Sequence, residues 1–161
     1  MRQEDKITEK SSLYHHLESK SVGELLEDIN REDHKVADAV KKALPQIEAL
    51  VVEAEKRMKR GGRVFYIGAG TSGRLGVLDA SELPPTFGVP STLVSGLIAG
   101  GDTALRNAVE NAEDMTAQGW ADLEKFEPTA DDTLIGIAAS GTTPYVIGAI
   151  REARAHHMLT G

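Results

Sequence analysis

The stretch Arg63-Val64-Phe65-Tyr66-Ile67-Gly68-Ala69-Gly70-Thr71-Ser72-Gly73 decides the fold. A short apolar run ends in glycine and passes at once into a small, hydroxyl-rich turn. The run predicts a buried strand, and Ser72–Ser81 after it predicts a helix. The same alternation recurs downstream. A strand is expected over Thr92–Ile98 and a helix over Asp102–Gln118, with Leu105, Ala108, Val109 and Ala112 facing inward. A short helix is expected over Trp120–Phe126, a strand over Thr133–Ala139, and a helix over Pro144–His157 carrying Val146, Ile147 and Ile150. Continuous apolar strands alternating with helices predict the α/β class, a doubly wound parallel sheet covered on both faces. Three strands leave one edge open, and another strand is expected where the chain reaches Leu159-Thr160-Gly161. The sheet is therefore expected to be incomplete, and the chain reads as the N-terminal portion of a longer protein.

Upstream of the first strand the period is helical. Ser21 and Glu24 have the spacing of a capping box, and Val22, Leu25, Leu26 and Ile29 form an apolar stripe after it. A second helix is predicted over Asp33–Arg60. Its apolar positions Val36, Val40, Leu44, Ile47, Val51, Ala54 and Met58 step by threes and fours, which predicts one buried face throughout. Pro45 lies inside this pattern without shifting its register, so a kink or a restart is expected there rather than a loop. Lys56, Arg57, Lys59 and Arg60 sit where the helix dipole is negative, and Gly61-Gly62 end the helix. Residues 1–20 are polar and read as an arm. The expected organisation is an arm and helix over 1–34, followed by an α/β domain over 35–161.

Composition narrows the classes of function. The chain has 161 residues with 18 Lys+Arg against 25 Asp+Glu, a formal charge of -7. At this length a single core can bury ~70% of the surface of the unfolded chain. The acidic balance disfavours nucleic acid or an anionic membrane as partner. No apolar leader opens the sequence, and its apolar runs fall short of the ~18 residues of a membrane span, so a cytoplasmic location is expected. With no cysteine there is no disulfide, thiolate metal site or cysteine nucleophile.

Gly68-Ala69-Gly70-Thr71-Ser72-Gly73 matches the G-x-G-x-x-G dinucleotide pattern in letters. That chemistry also needs an acid at the end of the second strand to hold ribose hydroxyls. Here that strand ends in Leu97-Ile98-Ala99-Gly100, and Asp102 belongs to the next helix start. The pattern also lacks the Gly-Lys-Ser/Thr of a triphosphate loop. A comparison of two loops is more informative. Strand one leads into Gly70-Thr71-Ser72-Gly73, and strand three into Ser140-Gly141-Thr142-Thr143. Both are hydroxyl-rich turns between a strand's carboxyl end and a helix start, where open α/β sheets bind ligands. Free N–H groups, the positive dipole end and the hydroxyls suit a phosphate monoester without any metal. The competing reading makes these hydroxyls plain N-caps.

A longer stretch is more distinctive: Ile67-Gly68-Ala69-Gly70-Thr71-Ser72-Gly73-Arg74-Leu75-Gly76-Val77-Leu78-Asp79-Ala80-Ser81-Glu82, then Pro84-Pro85-Thr86-Phe87-Gly88. It resembles the N-acetylmuramic acid 6-phosphate etherase family, which uses the sugar isomerase (SIS) fold. Leu97–Gly101, Ala108–Asp114, Gly136–Gly141 and the helical entry Ile29–Asp33 resemble it in the same order. The resemblance covers residues 20–161. It implies a flavodoxin-like three-layer α/β/α domain, a homodimer and a phosphosugar substrate, with no cofactor and no metal. It also implies a reaction, in which the D-lactyl ether at C3 is cleaved with water to give N-acetylglucosamine 6-phosphate and D-lactate. The resemblance gives Glu82 the role of proton donor to lactate and Glu113 that of base at C2. Thr71, Ser72, Gly73, Ser140, Thr142 and Thr143 become the substrate-binding set. Many family members have Cys at Leu83 and Arg at Thr142; the second departure removes a cation from the second loop.

On the residues alone, Glu82 stands before Pro84-Pro85, which limits the backbone, and burial between apolar neighbours would keep it protonated. Glu113 on a charged helix reads first as a solvated side chain. Arg74 could meet a phosphate or pair with Asp79. His15-His16 and His156-His157 lack the i, i+4 spacing of a metal pair, and Trp120 reads as packing. Two alternatives to the etherase share the phosphate loops: a non-catalytic phosphosugar-binding regulator, and a phosphosugar isomerase.

Overall fold

The computed structural model describes residues 11–161, so the first half of the expected arm lies outside the described residues. The chain forms two compact units, with the boundary between Ala49 and Leu50. Helix α1, Val22–Met58, runs through that boundary. Its start is the expected capping box: Ser21 N–H donates to Glu24 Oε2 at 2.8 Å, and Glu24 N–H donates to Ser21 Oγ at 3.3 Å. In the first unit Tyr14 donates to Glu32, and Lys20 pairs with Asp28.

Two expectations for this region are corrected. A single helix of 37 residues replaces the two predicted, with no restart at Asp33 or Pro45. The apolar stripe is also not buried throughout. Val36, Val40, Leu44, Ile47 and Val51 are exposed, and only Ala54 is fully buried. Periodicity reports that a helix carries an apolar face; it does not report what covers that face.

In the second unit the order is β1 (Val64–Gly68), α2 (Gly70–Phe87), β2 (Val94–Ile98), α3 (Thr103–Arg106), α4 (Gln118–Glu124), β3 (Thr133–Ile137), α5 (Pro144–Ala155) and β4 (Leu159–Thr160). A 3₁₀ turn, Ala112–Asp114, lies between α3 and α4. The strands form one sheet in the order β2-β1-β3-β4, and every pairing is parallel. The fourth strand stands at Leu159–Thr160, where the sequence predicts a further strand. Phe65, Ile67, Leu97 and Leu134 face α4 and α5, packing with Leu123, Tyr145 and Ala149. Val64, Tyr66, Val94 and Ile135 face the other way, packing with Ala80 and Leu83 of α2 and with Met58. This alternation gives the three layers. Among the described residues no helix is long and apolar enough to cross a membrane.

The predicted helix over Asp102–Gln118 is the main local correction. It stops after one turn at Arg106; Asn107 is extended, and Asn111 takes the left-handed conformation (φ 60°). Asparagine tolerates such backbone because its short side chain can bond locally. Leu105, Ala108, Val109 and Ala112 fit a helical step, but Ala108 and Val109 are exposed. In contrast, α2 runs past its predicted end at Ser81, through Pro84 and Pro85, to Phe87.

Glycines let α2 lie directly on the sheet. A Cβ on Gly96 of β2 would stand 2.6 Å from the Val77 Cα, and one on Gly76 would stand 2.8 Å from the Tyr66 Cβ. At the amino end of the two central strands, the Asp132 carboxylate closes the start of β1 against that of β3. It is 1% exposed. Its Oδ1 accepts from the Arg63 N–H at 2.7 Å and from Arg63 Nε at 3.1 Å. Its Oδ2 accepts from Arg63 Nη2 and from the Thr129 N–H, each at 2.8 Å. Burial alone would raise this carboxyl's pKa; the Arg63 and Thr129 donors outweigh it and hold it below the ordinary carboxylate range.

Two outcomes follow from this packing. Gly96→Ala lowers the stability of the unit by about 1–3 kcal/mol, because the methyl meets backbone rather than a flexible side chain; chemical denaturation with an unchanged midpoint would contradict this. Asp132→Ala costs about 3 kcal/mol at neutral pH by leaving the Arg63 cation without its partner. A carboxyl with a depressed folded pKa contributes fully above its unfolded value of about 4 and loses that contribution as pH falls through the folded value. Denaturation of wild type and variant from pH 7 to pH 2 should therefore show the gap closing only at the acid end.

Candidate active site

Strand β1 lies between β2 and β3, and the chain passes from β1 to β2 on one side before reaching β3 on the other. This is the switch point at which parallel sheets open a crevice at their carboxyl ends. The register sets Gly68 opposite Ile137, so both strands end level. The loops leaving them start one strand spacing apart, ~4.8 Å. The two hydroxyl-rich turns singled out in the sequence therefore begin side by side.

The first turn is shaped by glycine. Gly70 has φ +54°, and Gly73 is buried so tightly that a Cβ there would lie 2.6 Å from Ile98 Cγ1 and 2.8 Å from the Gly68 oxygen. Gly73 thus seats α2 on β1 and β2. The N–H groups of Gly70, Thr71 and Ser72 precede the first bond of the helix, Gly73 N–H to Ala69 O at 3.3 Å. The residue that caps α2 is Ala69, and α5 is capped by Thr143 without a side-chain bond. Plain capping therefore does not account for these hydroxyls. In the second turn, Gly141 (φ +67°) bends the chain so that Ser140 Oγ meets Thr142 Oγ1 at 2.9 Å and accepts the Thr142 N–H at 3.2 Å. Thr142 and Thr143 are half-buried, and Thr71 is exposed.

Glu113 and Glu82 lie in different places. Glu113, on the 3₁₀ turn, is exposed and lines a cavity of about 200 Å³. Gly70 of the first turn and Ala69 just before it line it too, as do Arg74, Asn107 and Glu110, whereas Thr71, Ser72 and Gly73 do not. The failure of the predicted helix is what carries Glu113 there, since the irregular segment curls over the ends of β1 and β2. Glu82 is exposed on α2 and not buried between apolar neighbours as expected. At ~1.5 Å per residue it stands ~18 Å along the helix from Gly70. It shares its outward side with Leu75 and Leu78, both more than half exposed.

Arg74 does not pair with Asp79. Its Nε donates to the Leu105 oxygen at 3.1 Å, tying α2 to the segment that leads to Glu113. Asp79 instead acts on Tyr66, whose phenol is pushed up to about 12, by burial first and by the Asp79 carboxylate second. The fully buried Tyr145 donates to Asp122 Oδ2 at 2.9 Å, and burial followed by that carboxylate pushes its phenol up. Trp120 stacks on His156 with ring centroids 4.3 Å apart, so it packs as expected. Among the described residues no group of three or more His, Asp or Glu is placed to hold a metal ion. Asn107 and Glu110 of the cavity were not among the expected site residues; no spacing rule marks an irregular segment.

The chain is 70% identical over 156 residues to the N-acetylmuramic acid 6-phosphate etherase of Bacteroides thetaiotaomicron, covering 97% of this chain and 56% of that protein. It is 67% identical over 157 residues to the enzyme of the same name from Porphyromonas gingivalis, covering 98% and 57%. The chain thus spans little more than half the length of these relatives. Among solved structures, the phosphoheptose isomerase GmhA from Neisseria gonorrhoeae superposes with a TM-score of 0.58 at 21% identity, over 84% of this chain and 72% of that one, which shows a shared fold. The family model for the glucokinase regulatory protein N-terminal SIS domain matches residues 44–154. By that match, which takes in every strand but β4 and both hydroxyl-rich turns, the chain belongs to the family of the glucokinase regulatory protein N-terminal SIS domain.

Proposed function

We propose that the protein to which this chain belongs is an N-acetylmuramic acid 6-phosphate etherase, a carbon–oxygen lyase of cell-wall amino sugar recycling that works in the cytoplasm as a homodimer. One observation carries the reading: Glu113 lines a cavity shared with the first hydroxyl-rich turn, at the edge where both turns start. A phosphosugar held by the turns would extend over the end of β1 toward this carboxylate. The relatives named as etherases support the same reading.

The chemistry follows from the poor leaving ability of an ether oxygen. Once the sugar ring opens, the C1 aldehyde acidifies the C2 proton. Glu113 takes that proton, the C3–O bond breaks as an acid protonates the departing lactate oxygen, and water adds back at C3. Proton transfer by a positioned group contributes typically ~10²–10⁴-fold to rate. Thr71, Ser72, Gly73, Ser140, Thr142 and Thr143 hold the phosphate through hydroxyls and N–H groups. Within a single chain Glu82 stands too far along α2 to reach a sugar in these turns. It serves as the acid when a second copy of the chain brings the exposed side of its α2 to the site.

Full-length protein should release D-lactate from N-acetylmuramic acid 6-phosphate, and neither Glu82→Gln nor Glu113→Gln should do so. If the two acids act from different copies, mixing and re-associating the two inactive variants restores about a quarter of wild-type turnover, since half of the dimers regain one intact site. Lactate release by Glu113→Gln would remove the base. A mixture that stays inactive would remove the shared site.

A further inference from the structure

Arg74 is the only cationic side chain lining the Glu113 cavity among the described residues. Its Nε is committed to the Leu105 oxygen, which fixes the plane of the guanidinium. Its two terminal NH₂ groups have no protein partner among the described residues and no carboxylate within ion-pair distance. A half-buried guanidinium with its orientation set and its fork free is a ready receptor for a carboxylate or phosphate, which it can meet in two parallel bonds. Its neighbours are acidic: Glu110 and Glu113 line the same cavity. An anionic group entering there meets two carboxylates, and Arg74 is what offsets them.

The cavity also has a side. It takes in Ala99 and Ala104, beyond the end of β2, and none of the residues of the second turn. The phosphate-binding turns start on β1 and β3, so the cavity lies about one strand spacing away from the gap between them, ~4.8 Å. That offset suits a different part of the same ligand. A base acting at C2 has the C3 oxygen as its immediate neighbour, so the arm that hangs from that oxygen starts beside the Glu113 carboxylate and its cavity.

Resting on the etherase reading, we propose that Arg74 is the specificity-determining residue of this site, taking the carboxylate of the substrate's lactyl arm while the two hydroxyl-rich turns take the phosphate. The site would thereby tell the lactyl ether from the same phosphosugar without the arm.

The test separates this from the etherase reading by measuring binding without turnover. Full-length protein carrying Glu113→Gln is titrated calorimetrically with N-acetylmuramic acid 6-phosphate and with N-acetylglucosamine 6-phosphate, alone and combined with Arg74→Ala or Arg74→Lys. Arg74→Ala should lower affinity for the lactyl sugar by about 10- to 100-fold and change affinity for the other by less than about twofold. Arg74→Lys should recover only part of the loss, because an ammonium cannot make the paired bonds. Equal weakening of both sugars would make Arg74 a phosphate ligand or a tie that holds the segment, and would overturn the proposal. So would the absence of any preference for the lactyl sugar before Arg74 is changed. Lactate release by the wild-type protein is scored separately and judges the etherase reading alone.

Discussion

The close seat of α2 on the sheet is the constraint from which the rest of the site follows. Gly68, Gly73, Gly76 and Gly96 each present bare backbone where any Cβ would collide. Their absence of side chains lets the helix start hard against the end of β1 and stay against β2. A helix held further off would lift the free N–H groups of Gly70, Thr71 and Ser72 away from the crevice and move Arg74 off Leu105. The letters G-x-G-x-x-G in this chain therefore record a packing requirement. A nucleotide pocket uses the same close approach, which is why the pattern alone does not separate the two.

The architecture was legible because its signals are local and repeated. Val64–Ile67, Thr92–Ile98 and Thr133–Ala139 are short, mostly apolar runs too brief for helices, and each gives way to a helical segment at glycine or hydroxyl-rich residues. Those runs became the parallel strands, and the Ser21–Glu24 box became the start of α1. What was not legible depends on contacts between distant residues. Asn107 and Asn111 break a helix whose apolar spacing looks intact, because the ends of β1 and β2 offer a surface for the segment to curl over. Pro84 and Pro85 lack the N–H groups that would bond the carbonyls of Ala80 and Ser81, yet α2 passes through them to Phe87, a continuation that the sequence did not reveal.

The site divides in the same way. The two turns were readable because hydroxyl-rich residues after strands are sequence features, and parallel order with level ends starts them side by side. Glu113 was not readable from spacing, since on a regular helix it would be one acid among several. Its cavity exists only because the helix fails. Glu82 shows the opposite case: proline neighbours suggested a fixed, buried acid, and the fold leaves it exposed on the outer side of α2. Arg74 was visible as a choice between two partners, and its tie to Leu105 uses neither of them.

The stacked pair at the end of α5 has a consequence for following this molecule in solution. Trp120 is the only tryptophan in the sequence, and it lies against the imidazole of His156. Because α5 starts at the second hydroxyl-rich turn, separation of α4 from α5 registers as a change in indole emission without any added dye. The chain thus carries an intrinsic optical gauge on the layer of helices opposite α2, read at a wavelength where none of its tyrosines competes.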